Sequence, residues 1–99
     1  SREMTLIIPA VHLNGTSRAA LDRGYRAALD ALNASADALV KTAPNGRDYY
    51  VYEGNALAQA QREYEARMSG VRSAREQVEM ILMVFMDGGT VDKEGRLTA

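Results

Sequence analysis

The residues best equipped for chemistry lie in two short stretches. The first is Pro44-Asn45-Gly46-Arg47-Asp48-Tyr49-Tyr50-Val51-Tyr52, which holds three of the chain's five tyrosines. Arg47 offers a two-pronged donor for phosphate. Tyr49, Tyr50 and Tyr52 offer flat faces for nucleobases, each stack worth about 1–3 kcal/mol. The alternation at 50–52 puts Tyr50 and Tyr52 on one side of an extended segment, with Val51 opposite. Asn45 and Asp48 add polar groups to the same loop. The alternative is packing: the tyrosines cover helix ends with their hydroxyls in water, and Asp48 pairs with Arg47. The second stretch is His12-Leu13-Asn14-Gly15-Thr16-Ser17. Here an imidazole (His12), an amide (Asn14) and two hydroxyls (Thr16, Ser17) precede a helix start, where free backbone N–H groups favour an anion. Asn14 to Ser17 read equally well as an ordinary turn and cap.

Other chemistries find little support. His12 is the one histidine, and there is no cysteine, which excludes disulfides, thiolate zinc sites and a cysteine nucleophile. No HExxH, GxSxG, phosphate-loop or GxGxxG pattern occurs. Asp22, Asp30 and Asp37 recur along one predicted helix at spacings that read as a solvated face. No clustered metal ligands are visible. The expectation is a protein that is not an enzyme and needs no cofactor. The net charge of −1 gives no general pull toward DNA or membrane and argues against a DNA-binding regulator. Ten of the twelve basic residues are arginine, which suits phosphate recognition but also follows from a GC-rich genome. The N-terminus lacks the pattern of a secretory signal, and the apolar run Met80–Met86 is far too short to span a bilayer. A cytoplasmic location is expected.

The elements that must hold these residues are helical. The length fits a single domain over 1–99. Residues 1–16 read as an extended arm and turn, with Pro9 restricting any strand to an edge. Helix 1 is predicted over 17–41: Leu21, Tyr25, Ala28, Leu32 and Leu39 form a coiled-coil-like stripe broken at Ser35. Ser17 or Thr16 caps it, and Pro44 with Asn45-Gly46 ends it. The tyrosine loop covers 42–54. Helix 2 is predicted over 55–86 with Asn55 as its cap: Leu57, Tyr64, Val71, Val78 and Phe85 recur every seven residues. Gly70 weakens its middle by about 1 kcal/mol and suggests a bend or a close helix contact. Asp87-Gly88-Gly89 stops it. The tail, 87–99, reads as a short hairpin about Gly95 that could pair with the N-terminal arm, or as a loose terminus.

The fold class is mainly α: two long antiparallel helices, an αα-hairpin, with extended ends and association into an oligomer. Oligomer burial is expected because Met80–Met86 is apolar on every face. The alternative is that arm and tail wrap that end within one chain. At roughly 36 Å for helix 1, the two chemical stretches meet only if the loop folds back or two subunits pack antiparallel. Methionines at this end also suit an adaptable partner surface.

"VHLNGTS", an alanine- and leucine-rich helix and "APNGRDYY" together resemble a group of small bacteriophage proteins. These share an HLNGTS turn, a PNxRDYY loop and a second long helix, over about residues 11–86. The group is similar to the viral sponge proteins that sequester cyclic-dinucleotide immune signals and block CBASS-type antiphage defence. The resemblance implies a helical homo-oligomer, dimer or higher, in the cytoplasm of an infected bacterial cell. It implies binding of a cyclic dinucleotide or related nucleotide signal without turnover, at Asn45, Arg47, Asp48, Tyr49, Tyr50, Tyr52, His12, Asn14, Thr16 and Ser17. Residues 90–99 lie outside the shared pattern. The competing expectation is a homo-oligomeric structural or protein-interaction phage protein with no small-molecule ligand.

Overall fold

The computed structural model describes residues 6–88 and 90–98, with Asp87 described by its backbone alone. The expectations for residues 1–5, Gly89 and Ala99 lie outside the described residues. Two long helices dominate: α1, Arg18–Val40, and α2, Ala56–Asp87, with one 3-10 turn, Gly46–Asp48, between them. This is the mainly α, αα-hairpin arrangement expected from the periodicity.

The helix ends follow local chemistry. Ser17 caps α1: its Oγ accepts from the Ala20 N–H at 3.1 Å, and its carbonyl takes the Leu21 N–H at 3.0 Å. At the other end, Thr42 and Ala43 N–H groups close tight turns onto the Leu39 and Val40 carbonyls. The helix stops there because Pro44 has no N–H and disfavours helical geometry in the residue before it. Asn55 opens α2 with its carbonyl, which accepts the Gln59 N–H at 3.0 Å. Gly88, in the left-handed region at φ 69°, closes it by donating to the Val84 carbonyl. Gly70 sits within continuous helix, and a methyl group there would meet open space, so no close helix contact explains it.

The chain forms two compact units. The terminal unit comprises Ser1–Asp30 and Glu76–Ala99, and the central unit comprises Ala31–Arg75. The terminal unit's core is Ile8, Leu82 and Phe85, with Leu6, Leu21, Tyr25, Leu29, Val78, Ile81, Val84 and Leu97 packed around it. The rings of Tyr25 and Phe85 meet edge to face, centroids 6.0 Å apart. The arm and the tail pair across this core. Ile7 bridges Arg96 and Val91 bridges Leu97, both antiparallel. The Ile8 N–H donates to the Gly95 carbonyl at 2.7 Å, and the Leu97 N–H to the Leu6 carbonyl at 2.9 Å. Pro9 falls just beyond this ladder, where its missing donor costs nothing.

The expectation that Met80–Met86 is covered mainly by a second subunit is corrected for its inner face. Leu82 and Phe85 are buried, within one chain, among Ile8, Leu6 and Leu97. The apolar arm was the available cover, and the tail hairpin pins it in place. Met83 and Met86 remain outside, 57% and 64% exposed.

In the central unit Ala36, Ala60 and Met68 are buried. Ala36 takes the inward place next to Ser35, where the stripe of α1 was broken in the sequence. Arg75 Nη1 donates to Asn33 Oδ1 at 3.3 Å, tying α2 to α1 within this unit.

Candidate functional site

The tyrosine loop has a definite shape set by one asparagine. Asn45 is extended at φ −131° and ψ 160°, and its Oδ1 accepts the Arg47 N–H at 2.9 Å. This side-chain capture turns the chain at once. The Tyr49 and Tyr50 N–H groups then both donate to the Gly46 carbonyl, at 3.1 and 3.0 Å. A further turn follows, with the Tyr52 N–H on the Tyr49 carbonyl at 3.1 Å. The glycine at 54, with φ 80°, carries the chain on toward α2.

Two expectations are corrected here. Residues 50–52 are turned rather than extended, so Tyr50 and Tyr52 are not paired on one side. Tyr52 instead meets Tyr49, with ring centroids 6.5 Å apart and planes at 55°, and Tyr50 stands 80% exposed. The cause is the Asn45 capture, which commits the following N–H groups to Gly46. Nor does Asp48 pair with Arg47: its Oδ2 accepts from Asn45 Nδ2 at 3.2 Å, which locks the same turn from a second side.

Tyr49 and Tyr52 border an open cleft of about 280 Å³, completed by Ala56, Gln59, Ala60 and Glu63 from the first two turns of α2. Ala56 and Ala60, one turn apart and without bulk, leave room beneath the rings. Gln59 and Glu63, also one turn apart, form the polar wall, and Gln59 Nε2 donates to Glu63 Oε2 at 3.0 Å. Tyr49 is half-buried and Tyr52 is exposed. Arg47 is exposed on the preceding 3-10 turn and is not among the residues that line the cleft. The site therefore combines ring faces, a shallow apolar floor and hydrogen-bond acceptors.

Gln59 and Glu63 were missed in the sequence. Their signal was position: four residues apart, one register step from Ala56 and Ala60, on the helix turn that directly follows the loop.

The second stretch, His12 to Ser17, belongs to the terminal unit, whereas Asn45 to Tyr52 belong to the central unit. The Gly15 N–H donates to the His12 carbonyl at 3.1 Å, closing a tight turn. The imidazole folds back over it: a methyl group on Gly15 would lie 2.7 Å from His12 Nε2. Asn14 and Thr16 are exposed. Ser17 is engaged as the cap of α1.

Among the described residues, no group of histidines and carboxylates is placed to hold a metal ion, and no helix is long and apolar enough to cross a membrane. The chain matches no known protein family, no curated protein and no solved structure.

Proposed function

We propose that the chain is a bacteriophage sponge that captures a cyclic dinucleotide or related nucleotide signal and holds it without hydrolysis, in the cytoplasm of an infected bacterial cell. The observation that carries this reading is the cleft under Tyr49 and Tyr52 in a loop already fixed by Asn45. A binder that performs no chemistry gains most from pre-order, because little loop entropy is lost on capture. Stacking on the tyrosines holds a base, and Arg47 outside the cleft is free to meet a phosphate. In this reading a second subunit supplies its His12–Ser17 turn, and a two-fold symmetric ligand suits a two-fold interface.

Calorimetry with cyclic di-adenylate, cyclic di-guanylate and the mixed adenylate–guanylate ring tests it. Saturable binding is expected, with the nucleotide recovered intact after long incubation. Tyr49→Ala and Tyr52→Ala each weaken it by about tenfold or more, from the worth of one stacked base, and Arg47→Ala weakens it and flattens its salt dependence. No binding across the panel, or binding unchanged in all three variants, sinks the proposal. Recovery of cleaved nucleotide replaces capture with turnover.

A second reading, a homo-oligomeric interaction protein without a small ligand, is favoured by one observation: Leu13 is 97% exposed, as are large parts of Met83 and Met86. Retained partner capture by the Tyr49→Ala and Tyr52→Ala variants, with no nucleotide bound by the parent, would select it.

A further inference from the structure

The chemistry of the cleft is more selective than ring stacking. Its floor is two alanines, and its wall is Gln59 and Glu63. Gln59 spends an N–H on Glu63 Oε2, at 3.0 Å. That leaves the wall richer in acceptors than donors: about three lone-pair sites remain on the Glu63 carboxylate and two on the Gln59 carbonyl oxygen, against one remaining Gln59 N–H. The one charge lining the cleft is negative, so a phosphate is repelled from it. The part of a nucleotide that fits here is a flat ring bearing N–H donors.

The four common bases differ sharply in that respect. Guanine presents two adjacent donors, N1–H and the N2 amino group, which match the two oxygens of one carboxylate as a fork. Adenine sets a single amino donor beside the N1 acceptor, which opposes a carboxylate. Cytosine does the same, and uracil flanks one N–H with two carbonyls. An arginine guanidinium shares the forked donor pattern, but the tyrosine faces and the neighbouring Arg47 favour a base that carries phosphate outside.

We propose that the cleft is a guanine-edge pocket, in which Glu63 is the specificity-determining acceptor and one ring of the Tyr49–Tyr52 pair supplies the stacking face, the other, tilted 55° to it, bracing that ring. This rests on the nucleotide-capture reading and adds to it a base preference that capture alone does not require.

The test compares guanosine, inosine and adenosine monophosphates by calorimetry on the parent and on Glu63→Gln. Inosine keeps N1–H and lacks only the N2 amino group. The parent is expected to bind the guanosine nucleotide about tenfold or more tightly than either of the others, in line with one good two-pronged base contact. Glu63→Gln keeps the side-chain length and the helix, and should collapse that preference by lowering guanosine monophosphate affinity toward that of adenosine monophosphate. Circular dichroism of the variant guards against a folding effect. Equal affinity for the three nucleotides in the parent overturns the base preference and leaves capture standing. An equal loss for all three in Glu63→Gln also overturns it. Failure of every monophosphate and every cyclic dinucleotide to bind overturns both. Tighter binding of arginine amide than of guanosine monophosphate, lost in Glu63→Gln, assigns the cleft to a cationic side chain and overturns the guanine proposal.

Discussion

Phe85 shows how much one side chain can decide in a chain this small. It is 5% exposed, sits at the centre of the terminal unit's core and meets Tyr25 edge to face. Phe85→Ala removes a ring from a site that other side chains can only partly refill. The expected loss is about 3–5 kcal/mol, against a total that is about 5–15 kcal/mol for most domains. Urea unfolding followed by circular dichroism measures it; a loss below about 1 kcal/mol would show that the core closes over the gap. Phe85→Leu is the milder variant, expected to cost less and to stay folded. Phe85 was legible in the sequence, since it closes the seven-residue series that starts at Leu57. What covers it was not. Ile8 lies more than seventy residues away in the chain, and periodicity along α2 says which face is apolar but not which segment lies on it. Asn45 failed for the opposite reason. Its turn is entirely local, but Asn-Gly licenses several turns, and alternation at Tyr50–Tyr52 read just as well as an extended segment.

The tail is the element whose geometry depends most on one ionised group. Asp92 Oδ1 accepts the Glu94 N–H at 2.8 Å and the Arg96 N–H at 2.9 Å, and Oδ2 faces Arg96 Nη1 at 3.4 Å. The Arg96 guanidinium also pairs with Glu94. The turn that results places Gly95, at φ 87°, against Ile7, with Ile7 Cγ2 only 3.3 Å from where a Cβ would stand. The Arg96 backbone N–H is the largest influence and lowers the Asp92 carboxyl; desolvation comes next and opposes it, and the Glu94 N–H and the Arg96 charge, each weaker, complete the net lowering below the ordinary value. A carboxyl depressed in the folded state stabilises it above the unfolded pKa, about 3.9 for aspartate. That contribution fades as pH falls below this value and through the folded pKa. Amide shifts of Glu94 and Arg96, followed by NMR from neutral to acid pH, should therefore titrate together with a midpoint below that of a free aspartate. In Asp92→Asn the joint transition should vanish. A midpoint at or above the ordinary value would contradict the assignment. The hairpin and its pairing with the arm were only half open to view in the sequence: Gly95 between two β-prone flanks suggested them, and a loose terminus read equally well. The ion that sets the turn was not, since Asp92, Glu94 and Arg96 look like any charged surface run.

At the scale of the whole molecule, the question is whether the chain acts alone. Two helices with an arm and a tail cover Leu82 and Phe85, yet Met83 and Met86 stay out on the same stretch of α2. These two lie three residues apart and so share a helix face. Unbranched methionines are adaptable contact residues, and a sponge that uses two subunits for one ligand needs such a face. Sedimentation equilibrium of the parent is expected to give a dimer or higher oligomer. The double variant Met83→Gln, Met86→Gln keeps chain length and helix propensity but removes the apolar contact. It should shift the mass toward the monomer with the helical signal unchanged. A monomer for the parent at every concentration tested would remove the second subunit from the proposed site. Stoichiometry then separates two forms of capture. A two-fold ligand shared at a two-fold interface gives one nucleotide per two chains, whereas the cleft acting within each chain gives one per chain. If the methionine variant becomes monomeric and still binds one nucleotide per chain at parental affinity, Tyr49, Tyr52 and Glu63 suffice. If affinity falls with the mass, a second subunit belongs to the site.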